Sequence, residues 1–305
     1  GLGDVYKRQI YNAIHINRIV REIVYEEVQH NKNFIKIERY RHLAEESTTT
    51  GVTTSKYFDH DVIVSLTTYG KRIHDVYLTI ESIMHQTAKP NKIILWLAED
   101  EFTMDTIPIS LKRLIDRGLT IEFCEDIKSY KKLVPALQKY PDSIIITIDD
   151  DVAYQQDLIE NLLHSYRKNP DLIHFCRGHK MKITKDGILD SYTRWDFFIN
   201  NTLTDKLNFP TGVGGILYPP HCLHEDVTNE KLFMVLCPTA DDIWFKAMSL
   251  LKGTYSRKVY THNVNGMDYT ILNNDIQDET ALWNINITRN DEQIKNVFSK
   301  YDIYK

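Results

Sequence analysis

Between residues 57 and 168 the chain alternates short, almost wholly apolar runs with longer amphipathic ones. The apolar runs fall at 62–66, 93–97, 119–124 and 143–148. Rich in Val, Ile and Leu, they have the length and composition of strands. Helical spacing fills the gaps, near 76–85, 109–117, 131–139 and 155–168. Strands with no polar face are buried on both sides, and strands separated by helices run parallel. The predicted class is therefore α/β, a Rossmann-like and mostly parallel sheet with flanking helices. Right-handed crossovers would bring the C-terminal ends of these strands to one edge, where open α/β sheets bind ligands.

Ahead of this pattern, Ile16, Ile19, Val20, Ile23 and Val24 recur at helical spacing within 10–28, while Arg18, Arg21, Glu22, Glu26 and Glu27 take other faces. An amphipathic helix docked on the main domain is expected there. Its charges are mixed rather than basic, which favours docking over a membrane-surface or partner helix. The stretch 46–55, Glu-Ser-Thr-Thr-Thr-Gly-Val-Thr-Thr-Ser, has no apolar period and reads as a linker. The chain thus divides into a helical appendage, 1–55, and a main domain, 56–305. The first nine residues, GLGDVYKRQ, read as a non-native extension. Beyond 168 the alternation gives way to a Gly-rich stretch at 211–220, a helix from 238 to 251, a short strand at 259–264 and a charged terminal helix at 290–305.

Composition narrows the functional classes. With 305 residues, 42% hydrophobic and 26% charged, the chain can bury a full core. Its 37 basic and 42 acidic residues, net −5, leave no electrostatic footprint for a nucleic-acid partner. Cys124, Cys176, Cys222 and Cys237 stand too far apart for a zinc knuckle or redox pair, so four reduced cysteines in a cytoplasmic protein are expected. No membrane-spanning apolar run and no secretory leader is read in the sequence.

The chemistry concentrates at the end of the fourth apolar run, where Ser143-Ile-Ile-Ile-Thr-Ile leads into Asp149, Asp150 and Asp151. Strand alternation puts Asp149 and Asp151 on one side and turns Asp150 away. Two carboxylates about 5 Å apart repel by roughly 3 kcal/mol at an effective dielectric near 20. A divalent cation, Mn²⁺ or Mg²⁺, relieves that cost, whereas capping the next helix would need only one Asp. The first strand exits through Thr67, Thr68, Tyr69, Gly70, Lys71 and Arg72, a ring and charge-assisted donors suited to a nucleoside diphosphate. A carboxylate pair, Asp241 and Asp242, opens the helix after Pro238; Glu225 and Asp226 form a rival pair in a segment that reads as an exposed loop.

Together, DVIVSLTTYGKRI from Asp61, Gln86-Thr87 before Lys92-Ile-Ile-Leu-Trp-Leu97, CEDIKSYKKLVPAL from Cys124 and the Asp149–Asp151 strand resemble bacterial GT-A glycosyltransferases of the family 2 kind, which act in capsule or lipopolysaccharide synthesis. The resemblance runs from Tyr57 to the C-terminus. It implies that Asp151 is the metal ligand, that Asp149 contacts the nucleotide and shares the metal, that Asp150, which departs from the simplest motif, is on the nucleotide side, and that Lys132 joins Thr67, Tyr69 and Arg72 in the donor pocket. It further implies an acceptor-side loop with Gly214 and Gly215, a general base at Asp242 or Asp241, Trp244 near the acceptor, and His262 as a third metal ligand.

The expected activity is inverting transfer of a sugar from a nucleotide donor, UDP-linked, to a saccharide or lipid-linked saccharide hydroxyl, at the cytoplasmic side with room for peripheral membrane attachment. The rivals are a sugar-nucleotide pyrophosphorylase, whose Gly-rich, Arg- and Lys-bearing signature is missing from SLTTYGKR, and a silent nucleotide- or glycan-binding protein.

Overall fold

The computed structural model describes residues 2–263, 266–272 and 282–304, with side chains from residue 15 on except 17 and 282–288. Its centre is an eight-stranded sheet ordered β3-β2-β1-β4-β10-β6-β11-β8. The strands are β1 (Val62–Thr67), β2 (Lys92–Ala98), β3 (Leu119–Cys124), β4 (Ile144–Thr147), β6 (Ile173–Phe175), β8 (Thr204–Asp205), β10 (Ile216–Tyr218) and β11 (Ser256–Lys258). Strands β1 to β4 are mutually parallel, with Val64 opposite Ile93 on one side and Ile146 on the other. The β10 strand breaks that direction, pairing antiparallel with both β4 and β6. Two small ribbons complete the β-structure: β5 (Val152–Tyr154) with β12 (Tyr269–Ile271), and β7 (Gly178–Lys180) with β9 (Asn208–Pro210).

The apolar runs become strands because each face is covered. On one face Val62, Val64, Leu66, Ile144 and Ile146 pack with Ile80 and Ile83 of helix α2 (Val76–Met84), all inaccessible to solvent. On the other, Ile63, Ile94 and Ile145 meet Tyr130 and the residues around helices α4 (Val134–Lys139), α6 (Glu230–Leu236) and α7 (Asp241–Lys252). Full burial of each such side chain contributes about 1.5–3 kcal/mol. Helices α3 (Ile109–Ile115), α5 (Leu158–Lys168) and α8 (Leu282–Lys300) flank this core. A buried carboxylate, Glu81 on α2, is held bidentately by Arg117 at 2.8 and 2.9 Å.

Helix α1 (Leu2–Glu46) is longer than its periodicity indicates and, among its described side chains, is buried in its last turns. Tyr40 and Ala44 are buried, Tyr40 joining Leu78 and Ala153 in one cluster. Ile16, Ile19, Val20, Ile23 and Val24, expected against the domain, are exposed. Among the described residues no helix is long and apolar enough to cross a membrane.

The polar stretch read as a linker is bound to the domain. Gly51 N–H donates to Arg117 C=O, Arg117 Nε to Thr49 C=O, and Asn91 Nδ2 to the carbonyls of Thr53 and Ser55. A Cβ on Gly51 would sit 2.3 Å from the Met84 side chain, so close packing selects Gly there. Polar composition without periodicity here marks irregular backbone whose hydrogen bonds are made to neighbours.

Two other elements differ from the expected pattern. Residues 131–139 divide into a 3₁₀ turn, Lys128–Lys132, and α4, and the strand expected at 259–264 is β11, three residues earlier. Val264 lies outside the described residues.

Candidate active site

Strand order reverses beside β1: the chain proceeds outward to β2 and β3, then returns to place β4 on the other side of β1. Such a switch point opens a crevice at the C-terminal strand ends. A cavity of about 780 Å³ lies there, lined by Thr67, Thr68, Tyr69 and Arg72 after β1 and by Asp149, Asp150 and Asp151 after β4.

Five carboxylates meet two interior cations on its floor. The Lys132 ammonium lies 2.9 Å from Asp149 Oδ1 and 3.0 Å from Asp241 Oδ2. Arg72 Nη1 lies 2.8 Å from Asp150 Oδ1 and 3.1 Å from Asp151 Oδ2. Asp150 is not turned away as strand alternation suggests. The strand ends at Thr147, and beyond it Asp150 is buried, receiving Thr68 Oγ1 at 2.5 Å on its second oxygen. It organises the loop, while Asp149 and Asp151 stay partly open.

The acidic pair at the start of α7 also differs from a cap. The position preceding the helix is Ala240, which has no capping side chain. Asp241 turns instead to Lys132, and Asp242 Oδ2 accepts from Gly212 N–H at 3.3 Å. Asp242 as a whole is only half-covered, yet its Oδ1 is shut from water without a partner. Burial first, and the Asp241 charge second, push its carboxyl up to about 7, against the pull of Lys132. Burial opposes the charge of Lys132, but Asp149, Asp241 and Asp242 outweigh it and hold the ammonium well above its ordinary range.

Glycine at 212 is dictated by this crowding: a Cβ would come within 2.7 Å of Lys132 Nζ and 3.1 Å of Asp149 Oδ1. Tyr154 fastens the same loop, its hydroxyl accepting from Asp149 N–H at 2.9 Å and donating to Val213 C=O at 3.1 Å.

The remaining expected residues divide sharply. Thr67 lines the cavity while its hydroxyl donates to Trp96 C=O; Tyr69 lines it with its ring 5.3 Å from the Arg72 guanidinium carbon. Gly214 and Gly215 do not line it. A Cβ on Gly214 would meet Arg177 backbone at 2.7 Å, and Gly215, at φ 89°, packs on Leu158, so both glycines serve chain packing. Trp244 is fully buried, donating to Val227 C=O, and belongs to the core rather than an acceptor face. His262 is exposed, paired with Asp157 at 2.7 Å, and outside the cavity. Asp226 accepts from Tyr301 and lies outside it too.

The structure adds wall residues that sequence reasoning passed over: Arg177, His179, Tyr192, Phe209 and Asn290. The only sequence signal was Arg177-Gly-His179 following an apolar run, a pattern too short to separate from a surface turn.

No group of three or more His, Cys, Asp or Glu is ready-made for a metal among the described residues. The donor chemistry nonetheless fits a hard divalent cation at Asp149 and Asp151. Both carboxylates border the cavity, whose lining holds seven acidic side chains against five basic ones.

No family model matches the chain, and no curated protein matches its sequence. Among solved structures, it is similar to a mannosyltransferase from Pyrobaculum calidifontis in complex with GDP-Man and Mn²⁺, at 16% identity and a TM-score of 0.32, over 50% of this chain and 45% of that one. It is also similar to a CMP:2-keto-3-deoxy-manno-octonic acid synthetase complexed with CTP, at 12% identity and a TM-score of 0.37, over 65% of this chain and 88% of that one. The chain spans less than half of the mannosyltransferase's length. Likeness at these scores carries no functional argument, so the reading of the site rests on its own residues.

Proposed function

We propose that the protein is a metal-dependent glycosyltransferase of the GT-A kind, transferring a sugar from a nucleotide donor, UDP-linked, to a hydroxyl of a saccharide or lipid-linked saccharide. The observation that carries this reading is the convergence of Asp149, Asp151 and the raised carboxyl of Asp242 on one switch-point cavity. Asp151 and Asp149 would hold Mn²⁺ or Mg²⁺, hard cations suited to carboxylate oxygens. When bound, the cation neutralises the charge of the departing diphosphate. Tyr69 and Arg72 supply a ring and a guanidinium on the donor side. Asp242, with a carboxyl near 7, is matched to accept the acceptor's proton at neutral pH. Proton removal by a separate carboxylate corresponds to inversion at the anomeric carbon. Asp241, neutralised by Lys132, holds that ammonium in place beside Asp149.

Titration calorimetry of UDP tests this directly. Binding should require Mn²⁺ or Mg²⁺ and fall strongly in Asp151→Ala, because the diphosphate would then face the carboxylates without its anchored cation. Equal affinity with metal and with chelator would overturn the reading. Incubation with a panel of sugar nucleotides separates the rivals by product: a transferase releases UDP, a pyrophosphorylase exchanges pyrophosphate, and a silent binding protein releases neither.

A further inference from the structure

Away from the carboxylate floor, the cavity has a wall built from β7, β9 and the start of the described side chains of α8. His179 on β7 is fully buried and borders the cavity. Its Nδ1 accepts the backbone N–H of Phe198 at 3.2 Å. The Gly178 carbonyl beside it is already taken by Ile199 N–H. Burial first, and the Arg177 charge second, press the imidazole down to about 3, so the ring is neutral. A neutral ring whose Nδ1 accepts carries its proton on Nε2. That Nε2–H has no hydrogen-bond partner among the described residues.

Asn290 on α8 is its complement. It is buried, borders the cavity, engages Tyr192, and leaves Oδ1 without a partner. Asp242 Oδ1 is a third orphan. Leaving a buried donor or acceptor unmade costs about 1–3 kcal/mol, a cost a fold accepts where a ligand repays it. Tyr192 and Phe209 fill the space between with aromatic surface. The loop carrying Tyr192 is fixed to α8 by Asp291, which accepts from Tyr192 N–H at 2.6 Å and from Ser191 Oγ at 2.8 Å.

We infer that this wall is the acceptor subsite and selects an uncharged sugar ring, His179 Nε2–H donating to one ring hydroxyl, Asn290 Oδ1 accepting from another, and the aromatic surface covering the ring's C–H face. The inference rests on the glycosyltransferase reading for the word acceptor, but not for the sugar. A neutral donor and a neutral acceptor lining one cavity suit hydroxyls, each of which both gives and takes a hydrogen bond. They offer no compensation to a buried carboxylate or phosphate. Arg177 is the one wall cation; its Nη1 is committed to Thr211 Oγ1 at 2.7 Å and its guanidinium lies over the Phe198 ring at 4.7 Å, which leaves its buried Nε–H, unpartnered among the described residues, as a further hydroxyl donor.

Saturation-transfer NMR with the full chain tests it, using methyl glycosides of glucose, galactose, mannose and N-acetylglucosamine against glucuronate and glucose 6-phosphate, each with and without UDP and Mn²⁺. At least one neutral glycoside should bind, and His179→Phe, which keeps an aromatic ring but removes the N–H, should weaken it about tenfold or more. If that variant misfolds by its melt, Asn290→Ser supplies the same comparison from the other side. Neutral glycosides that bind wild type and folded variant equally, or that fail to bind while the charged sugars do, overturn the proposal. Neutral glycosides that bind in a His179-dependent way without any UDP binding support the subsite and overturn the donor reading instead, so the two failures are distinguishable.

Discussion

Lys132 and Asp241 stand 3.0 Å apart, joining the turn before α4 to the first turn of α7. The same ammonium reaches Asp149, so one buried cation holds the donor-side loop and the candidate base helix in a single charge network. Removing it strands three carboxylates. Lys132→Met should cost about 3–5 kcal/mol at neutral pH, as for breaking any buried ion pair. Chemical denaturation checks this, and the deficit should shrink in acid as the carboxylates protonate. An unchanged midpoint at pH 7 would show that the network is not structural.

The raised carboxyl of Asp242 sets a pH dependence of opposite sign to the usual Asp. The folded protein keeps this proton up to about 7, whereas an unfolded Asp releases it near ~4. Between those values the folded state binds more protons, so stability falls as pH rises through the window. Asp242→Asn removes the titrating group. It should flatten that segment of the stability profile and raise the melting temperature at pH 8, while lowering transfer roughly a hundredfold to ten-thousandfold. A variant with normal turnover would move the base elsewhere, to Asp241 first.

Gly212 is a site where fold and activity separate. In Gly212→Ala the new methyl meets the flexible end of Lys132, which can shift while keeping its Asp241 partner but lengthens its contact with Asp149. Thermal melts should change by only a few degrees while donor affinity drops at least tenfold. Equal donor binding in the variant would show that the Lys132–Asp149 contact does not matter to the ligand.

His262→Ala should leave the metal dependence of UDP binding as it is, since the side chain is exposed and paired with Asp157. Calorimetry at several Mn²⁺ concentrations decides it. A clear loss of metal affinity would return His262 to the set of metal ligands.

Truncation gives a graded outcome. Ile16, Ile19, Val20, Ile23, Val24, Tyr25 and Val28 are exposed, so the segment before residue 34 should be removable without change in the melt. Deletion through residue 56 removes Tyr40 and Ala44 from above Leu78 and Ala153, together with the strand-like ties of residues 49–55. Loss of one buried aromatic alone costs about 3–5 kcal/mol. Comparable melts for the two truncated chains would place the whole of α1 outside the core.

What could be read from the sequence was whatever depends on local periodicity. Strands β1 to β4 announce themselves because burial on both faces demands unbroken Val, Ile and Leu. Asp149 to Asp151 and Asp241 with Asp242 stand out because acids clustered beside apolar runs have few structural explanations. Trp244 and His262 misled for a shared reason: a lone aromatic or imidazole near a motif carries no direction, and only packing shows which way it points. Asp150 misled because alternation was extended past the last strand residue, Thr147. Arg177, His179 and Asn290 were invisible, since α8 docks on α7 and on the Tyr192 turn and so brings together segments more than a hundred residues apart in the case of His179 and Asn290.

The hydroxyl of Tyr154 touches both Asp149 N–H and Val213 C=O. The two loops it joins therefore behave as one rigid plate, and a shift at Gly212 is handed on to the donor-side carboxylate. The Tyr192 segment of the wall is tied instead to α8, through Asp291. The placing of that wall therefore depends on the C-terminal helix, far along the chain from every carboxylate on the floor.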